Sequence, residues 1–419
     1  MPRIKSSNLV HQFLPDKLQS EELSLFLFKY FGESSSRSAY PDKSANEIIY
    51  SDQLRVIWGQ ENKQRVIQEI YPLEEVDDSL MTTLASQARK ALSTNQGTVI
   101  SRFVLFADKA VNGYFRFSDD FQISPIPDDW NDQEDYAGPG SRPFILQFST
   151  QKSTINEINS HRQLKRVNEI ILHLNGLLSG CFSKNNIQKN WILIPTENNE
   201  DLGSKYLYHG YMAGSENRPY DSKGFISPES LNPIEQMSAD SYYAYPREPQ
   251  VIADRSGIRR IPTQVPRDLA RSLEIYHSMN ARAKKKFLSA AHWKKSSYQT
   301  SSISQTLSIF CLFVAIDSLL PNARQKGNCE ECNRPLQEGQ TKVFAEFLEK
   351  YAYQSSSKLR KELYKIRSGL AHGSLLVAQD LNETHVVQPD SKTSATLREM
   401  RVLVHQSLVN WLRDHERND

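Results

Sequence analysis

The sequence predicts an α+β protein, with an N-terminal mixed α/β domain followed by a C-terminal all-α helical bundle. Three observations support this. Short β-type apolar runs alternate with helical ones from Asn46 to about position 212. A stretch from Ala213 to Pro266 then carries seven prolines. Beyond Pro266, apolar residues recur at intervals of three, four and seven.

Taken in order, residues 1–45 are polar apart from an apolar patch at Leu23 to Phe31, and Glu33 to Ala45 is a Ser-rich expected loop. Ile48 to Tyr50, Leu54 to Trp58 and Val66 to Tyr71 read as strands separated by polar turns. Leu80 to Leu92 fits a helix, and Thr98 to Phe106, Gly113 to Phe117 and Phe144 to Phe148 fit strands. Pro125 to Arg142 is an acidic loop without Ca²⁺-loop spacing. Leu164, Val167, Ile170, Ile171, Leu174, Leu177 and Leu178 lie at helical spacing, with Gly180 as the stop signal. Trp191 to Pro195 reads as a buried strand. The expected domain of residues 46–212 ends there. The proline-rich connection of 213–265 holds a boundary.

In residues 266–419 five helices are expected. Leu269, Leu273, Tyr276, Ala283, Phe287 and Ala290 stripe the first. Ile303 to Leu320 is apolar almost all round, as in a helix buried in a bundle. Phe344, Phe347, Leu348 and Tyr351 mark the third, Leu359, Leu363, Ile366 and Leu370 the fourth, and Leu397, Met400, Val404, Leu408 and Trp411 the fifth.

Composition narrows the function classes. Apolar residues make up 38% and aromatic ones 10%, with a mean hydropathy of −0.57, which suits folded cores rather than a disordered chain. No run reaches the roughly 18 apolar residues of a membrane span, and no apolar core follows Met1 to Lys5. A cytoplasmic protein without a membrane partner is expected. Charge is uneven. Arg255 to Ala371 holds 21 Lys and Arg against 9 Asp and Glu, whereas the rest holds 30 against 40. A basic segment of this kind suits a polyanion such as RNA, and equally a solvated helix face. Its densest part includes Arg282, Lys284, Lys285, Lys286, Lys294 and Lys295, beside His292 and Trp293. These lysines are the candidate RNA-backbone contacts.

Of the four cysteines, Cys181 and Cys311 sit in apolar helical patterns and read as core thiols. Cys329 and Cys332 have zinc-knuckle spacing, but tetrahedral zinc takes four ligands. No second pair exists, and no histidine lies between His292 and His372. The pair reads either as half of a structural zinc site or as an exposed reduced pair. A Gly-rich phosphate loop, a His-Glu-x-x-His motif and a nucleophile elbow are all missing from the sequence.

The fourth expected helix ends in Lys361-Glu362-Leu363-Tyr364-Lys365-Ile366-Arg367-Ser368-Gly369-Leu370-Ala371-His372-Gly373. The Arg-x4-His spacing, the Leu-Tyr-x-x-Arg-Ser prefix and the His-Gly ending resemble the Apea-like HEPN domains. Asp317, near the end of the preceding apolar helix, resembles that family's acidic marker. The resemblance spans about 150 residues. It implies a helical bundle that dimerises and pools two Arg–His motifs in one cleft. The implied activity is metal-independent endoribonuclease action, with a role in prokaryotic antiviral defence or as a toxin, under a phage-derived or cellular activator. No catalytic cofactor is implied.

The residue types suit this chemistry. RNA's own 2′-hydroxyl attacks the neighbouring phosphorus, and histidine is the side chain that moves protons near neutral pH. Arginine matches the charge and shape of phosphoryl oxygens. The expected catalytic set is Arg367, His372, Asp317 and, for substrate hydrogen bonding, Ser368. Five residues on an ideal helix rotate by about 500°, leaving Arg367 and His372 about 140° apart. They converge only if the helix ends between them, for which Gly369 is the candidate, or across two subunits. The competing expectation is an inert module that binds RNA or a nucleotide, or only dimerises.

Overall fold

A computed structural model describes residues 9–14, 19–32, 34–38, 46–51, 53–61, 64–73, 77–93, 96–109, 111–125, 142–184, 232–238, 253–254, 257–258, 263–301, 303–321, 325–328, 335–337, 339–352, 355, 357–373 and 391–416. The expected strand at Trp191 to Pro195, most of the acidic loop and the Cys329/Cys332 pair lie outside these residues. The chain contains both helices and sheets, so it is α+β. It divides into two compact units, residues 1–101 with 149–167, and residues 102–148 with 168–419. Both units take part of the expected 46–212 segment, and the second also takes 266–419.

In the first unit, α1 (Val10–Phe13) and α2 (Ser20–Phe31) precede four strands, β1 (Ser34–Ser38), β2 (Asn46–Tyr50), β3 (Leu54–Glu61) and β4 (Gln64–Pro72). The strands pair in sequence order as an antiparallel sheet. β1 corrects the expected loop at 33–45. Ser34 to Ser38 pairs with Tyr50 to Asn46, and backbone pairing can hold a serine run that apolar patterning does not reveal. Alternation places Leu54, Val56 and Trp58 of β3 in one core with Ile67 and Ile70. Helix α3 (Asp78–Leu92) contributes Met81, Leu84, Ala88 and Leu92 to this core. Asp77 caps α3, its side chain accepting from Ser79 N at 3.0 Å. Arg162 forks onto Glu22 at 2.9 and 2.6 Å and donates a third bond to the Leu92 carbonyl at 3.0 Å. The pair is largely shielded from solvent, and bidentate geometry is the strong form of such contacts.

The second unit holds most of a five-stranded sheet in the order β6-β7-β8-β5-β9, from β5 (Thr98–Ala107), β6 (Phe115–Phe117), β7 (Phe121–Ser124), β8 (Arg142–Gln151) and β9 (Phe182–Ser183); Thr98 to Ser101 and Ser149 to Gln151 belong to the first unit. Phe103, Phe121, Phe144, Phe148 and Phe182 are buried. Helix α4 (Asn156–Leu177) buries Val167, Ile170, Ile171, Leu174 and Leu177 as its spacing predicts, although Leu164 is exposed. Gly180 follows at φ +125, and a Cβ there would meet Asp108 Oδ1 at 2.5 Å, so only glycine fits.

Beyond Pro266 the expected first helix is two, α5 (Leu269–Ser278) and α6 (Ala281–Thr300). The break is at Met279 and Asn280. The Asn280 side chain accepts from Ala283 N at 2.9 Å and so starts α6 afresh, which a continuous apolar stripe conceals. Then come α7 (Gln305–Leu319), α8 (Gln340–Tyr351), α9 (Ser357–Ala371) and α10 (Ser391–Glu416). A short hairpin, Gln325–Asn328 with Pro335–Gln337, joins α7 to α8. Ser304 caps α7, and Ser308 Oγ donates to the Ser297 carbonyl at 2.7 Å, fixing α7 against α6. Gly176 gives α4 its close approach to α6, since a Cβ there would lie 2.6 Å from the Phe287 ring. α7 is not covered all round. Ile303 just before it and Leu307 and Phe310 on it are 80%, 42% and 37% exposed.

Candidate functional site

Asp317 lies near the C-terminus of α7, where a carboxylate opposes the helix dipole. Arg367 on α9 compensates it. Its Nη2 and Nε donate to Asp317 Oδ2 at 2.8 and 3.2 Å. The two residues are 50 positions apart, and helix packing brings them together. The guanidinium also lies 5.6 Å from the Phe344 ring centre and 6.0 Å from that of Tyr364, positions that favour a cation over an aromatic face. The side chains are 23% and 32% exposed, so the pair contributes about 1 kcal/mol or less. The other carboxylate oxygen, Oδ1, is buried and has no hydrogen-bond donor among the described residues. Such orphans are uncommon in folded proteins.

His372 is exposed on the turn that ends α9, its N–H donating to the Ser368 carbonyl at 3.0 Å. Gly373, at φ +66, closes the helix, its N–H donating to the Leu370 carbonyl at 3.1 Å. The helix therefore ends between Arg367 and His372, at Ala371 and not at the expected Gly369. Gly369 stays helical, and His372 follows one residue past the helix end. Ser368, half-buried, sits between them in sequence. Within one chain Asp317 is bonded to Arg367.

The basic run of α6 does not form one phosphate track. Lys285 is exposed. Lys284 donates to the His277 carbonyl at 2.7 Å, and Lys286 to the Leu320 carbonyl at 2.6 Å, which ties it to the end of α7. Lys295 is half-buried, and burial pulls its pKa down. Lys294 is not a surface residue at all. It is 1% exposed and donates to the Asn175 and Leu178 carbonyls at 2.6 and 2.8 Å and to His405 Nδ1 at 3.0 Å. It is thus the cation that closes the C-terminus of α4, and is not available to RNA.

That buried cluster was not legible in the sequence. An ammonium has three N–H donors, and each has an acceptor here. Burial still pushes the Lys294 pKa down to about 7, with Cys181 and Asp108 opposing. The bond from Lys294 to Nδ1 places the His405 proton on Nε2. Burial and the lysine hold His405 neutral, well below its ordinary range. Burial raises the Asp108 carboxyl, although Oδ1 accepts from Cys181 N at 2.9 Å. The Cys181 thiol is pushed up to about 12 by burial and by Asp108, so it is inert. Cys311 is buried and raised likewise.

Among the described residues no group of three or more His, Cys, Asp or Glu is placed to hold a metal, and no helix is long and apolar enough to cross a membrane. No family model, curated protein or solved structure matches the chain.

Proposed function

We propose that the chain is a metal-independent endoribonuclease of the HEPN type, acting as a homodimer with a composite site. The observation that supports this is the Asp317–Arg367 pair. The acidic residue near the end of the apolar helix is bound to the arginine of the Arg-x4-His motif, whose histidine is exposed. One further feature favours a second copy. Leu307 and Phe310 form an exposed apolar stripe on α7, with Ile303 exposed just before it, and the stripe's spacing runs towards Asp317, because seven residues bring a helix back to within about 20°.

In this reading the RNA 2′-hydroxyl loses its proton and its oxygen attacks the adjacent phosphorus. The 5′-oxygen then leaves and takes up a proton, and a 2′,3′-cyclic phosphate remains. His372 moves a proton at one of those two oxygens. Arg367, held by Asp317, faces the charge that builds on the phosphoryl oxygens. Neither role needs the Lys294 cluster.

The test is cleavage of RNA by the full chain in EDTA, beside Arg367→Ala and His372→Ala, with product ends analysed. Cleavage by the parent alone, leaving cyclic or 3′-phosphate ends, is expected. Phe310→Glu should leave the fold intact and abolish both dimer and cleavage. Equal cleavage by all variants would defeat the proposal. A second reading is a binding or dimerisation module without catalysis, in which Arg367 serves only to pair Asp317. It requires that His372→Ala leave RNA affinity unchanged and that the parent leave RNA intact, with phage-infected extract as the source of any activator.

A further inference from the structure

Three cations from three elements gather around Cys181. Lys184 directly follows β9, Lys295 lies on α6 and Arg401 on α10. Packing joins the three elements at this level. Gln299 Nε2 of α6 donates to Ser183 Oγ of β9, next to Lys184, at 3.3 Å. Lys294 Nζ meets His405 Nδ1 at 3.0 Å, one turn along α10 from Arg401. The Arg401 guanidinium lies 4.2 Å from the ring centre of Tyr298, which is three residues beyond Lys295 and so on the same face of α6. Lys295 and Arg401 both act on the Cys181 thiol, and Lys295 acts on Lys184.

The cluster holds no counter-charge. None of the three side chains has a hydrogen-bond acceptor or a carboxylate partner among the described residues. Arg401 Nε and Nη2 are buried and unfilled, whereas Nη1 is not among the sealed atoms. The Cys181 thiol, pushed up to about 12, is uncharged near neutral pH. Asp108 accepts from Cys181 N, and the cations that act on its carboxyl are Lys109 and Lys294. Burial, and then Lys295, lower the pKa of Lys184 and of His292, three residues before Lys295. Partly buried like charges of this kind are costly unless an anion joins them.

We propose that Lys184, Lys295 and Arg401 form a site for a free tetrahedral oxyanion of the phosphate class. Each lysine keeps its three N–H donors and Arg401 offers Nη1, and the oxygens of a dianion accept several such bonds at once. Tyr298 already carries Arg401 on its face. The site therefore offers charge rather than a stacking platform, which favours the anion itself over a single-stranded nucleic acid, where bases stack on rings. Bound there, the anion ties β9 to α6 and α10. None of these residues belongs to the proposed cleavage site, so the proposal stands apart from the nuclease reading.

Calorimetric titration of the full chain with sodium phosphate, sulfate and nitrate, at neutral pH and constant ionic strength, tests this without any cleavage readout. Phosphate and sulfate should bind saturably at millimolar concentration or below, with nitrate, a planar monoanion, at least about tenfold weaker. Lys295→Gln should weaken phosphate binding by roughly 10- to 100-fold. Lys184→Gln, a second variant just past the end of a strand, should weaken it similarly. Lys285→Gln, exposed elsewhere on α6, should leave it unchanged. Saturating phosphate should also raise the thermal midpoint of the parent more than that of Lys184→Gln, which separates occupancy of the site from general salting by excluded anions. Absence of saturation by about 10 mM phosphate would overturn the proposal. So would equal phosphate affinity in Lys184→Gln and the parent, or binding of single-stranded RNA alone, which would mark the patch as a backbone contact.

Discussion

Lys294→Met gives the most direct check on the buried cluster. The wild-type lysine drops from a pKa of 10.5 to about 7 on folding. At about 1.36 kcal/mol per pH unit, that corresponds to roughly 5 kcal/mol between the fully charged and fully neutral limits. The folded pKa is the depressed one, so the unfolded chain binds the extra proton between pH 7 and 10.5. Stability is therefore lowest below pH 7 and rises through this window. From pH 7 to pH 9 the gain approaches about 2–3 kcal/mol. Methionine has no proton to bind and cannot show this rise. It also leaves the Asn175 and Leu178 carbonyls without their donor, at about 1–3 kcal/mol each, while sparing the cost of burying an ammonium. The variant should thus lie near wild type at pH 7 and fall steadily behind it by pH 9. Urea unfolding of both proteins at pH 7, 8 and 9 measures this. Parallel pH profiles would refute the reasoning and show that the three acceptors hold the ammonium at an ordinary lysine pKa.

Two other outcomes are expected. Gly180→Ala combines a positive φ with a Cβ placed 2.5 Å from Asp108 Oδ1, and should lower stability by more than about 1 kcal/mol in thermal melts. Phe344→Ala removes a ring that is 1% exposed and lies beneath Arg367. It should cost about 3–5 kcal/mol in denaturant unfolding, with Arg367→Ala far milder, about 1 kcal/mol or less.

The sequence by itself determined the elements whose apolar period is strong. The strands β2 to β5, helix α3, helix α4 and the helices near Phe344 and Leu363 follow from local periodicity, because one buried face writes itself directly into residue spacing. It also marked Arg367, His372 and Asp317, since residue type and spacing are properties of the chain. Local pattern could not show β1, a run of serines paired through its backbone, or the restart of the helix at Asn280, where the apolar stripe continues across a cap. The rest was decided in three dimensions. Lys294 reads as one more surface lysine until Gly176 lets α4 close on α6 and its ammonium meets the end of that helix. The Asp317–Arg367 bond and the uncovered stripe on α7 likewise depend on which helix faces which. Spacing along a chain fixes the face a residue occupies, but only packing supplies its neighbours, and with them its charge state and its access to a ligand.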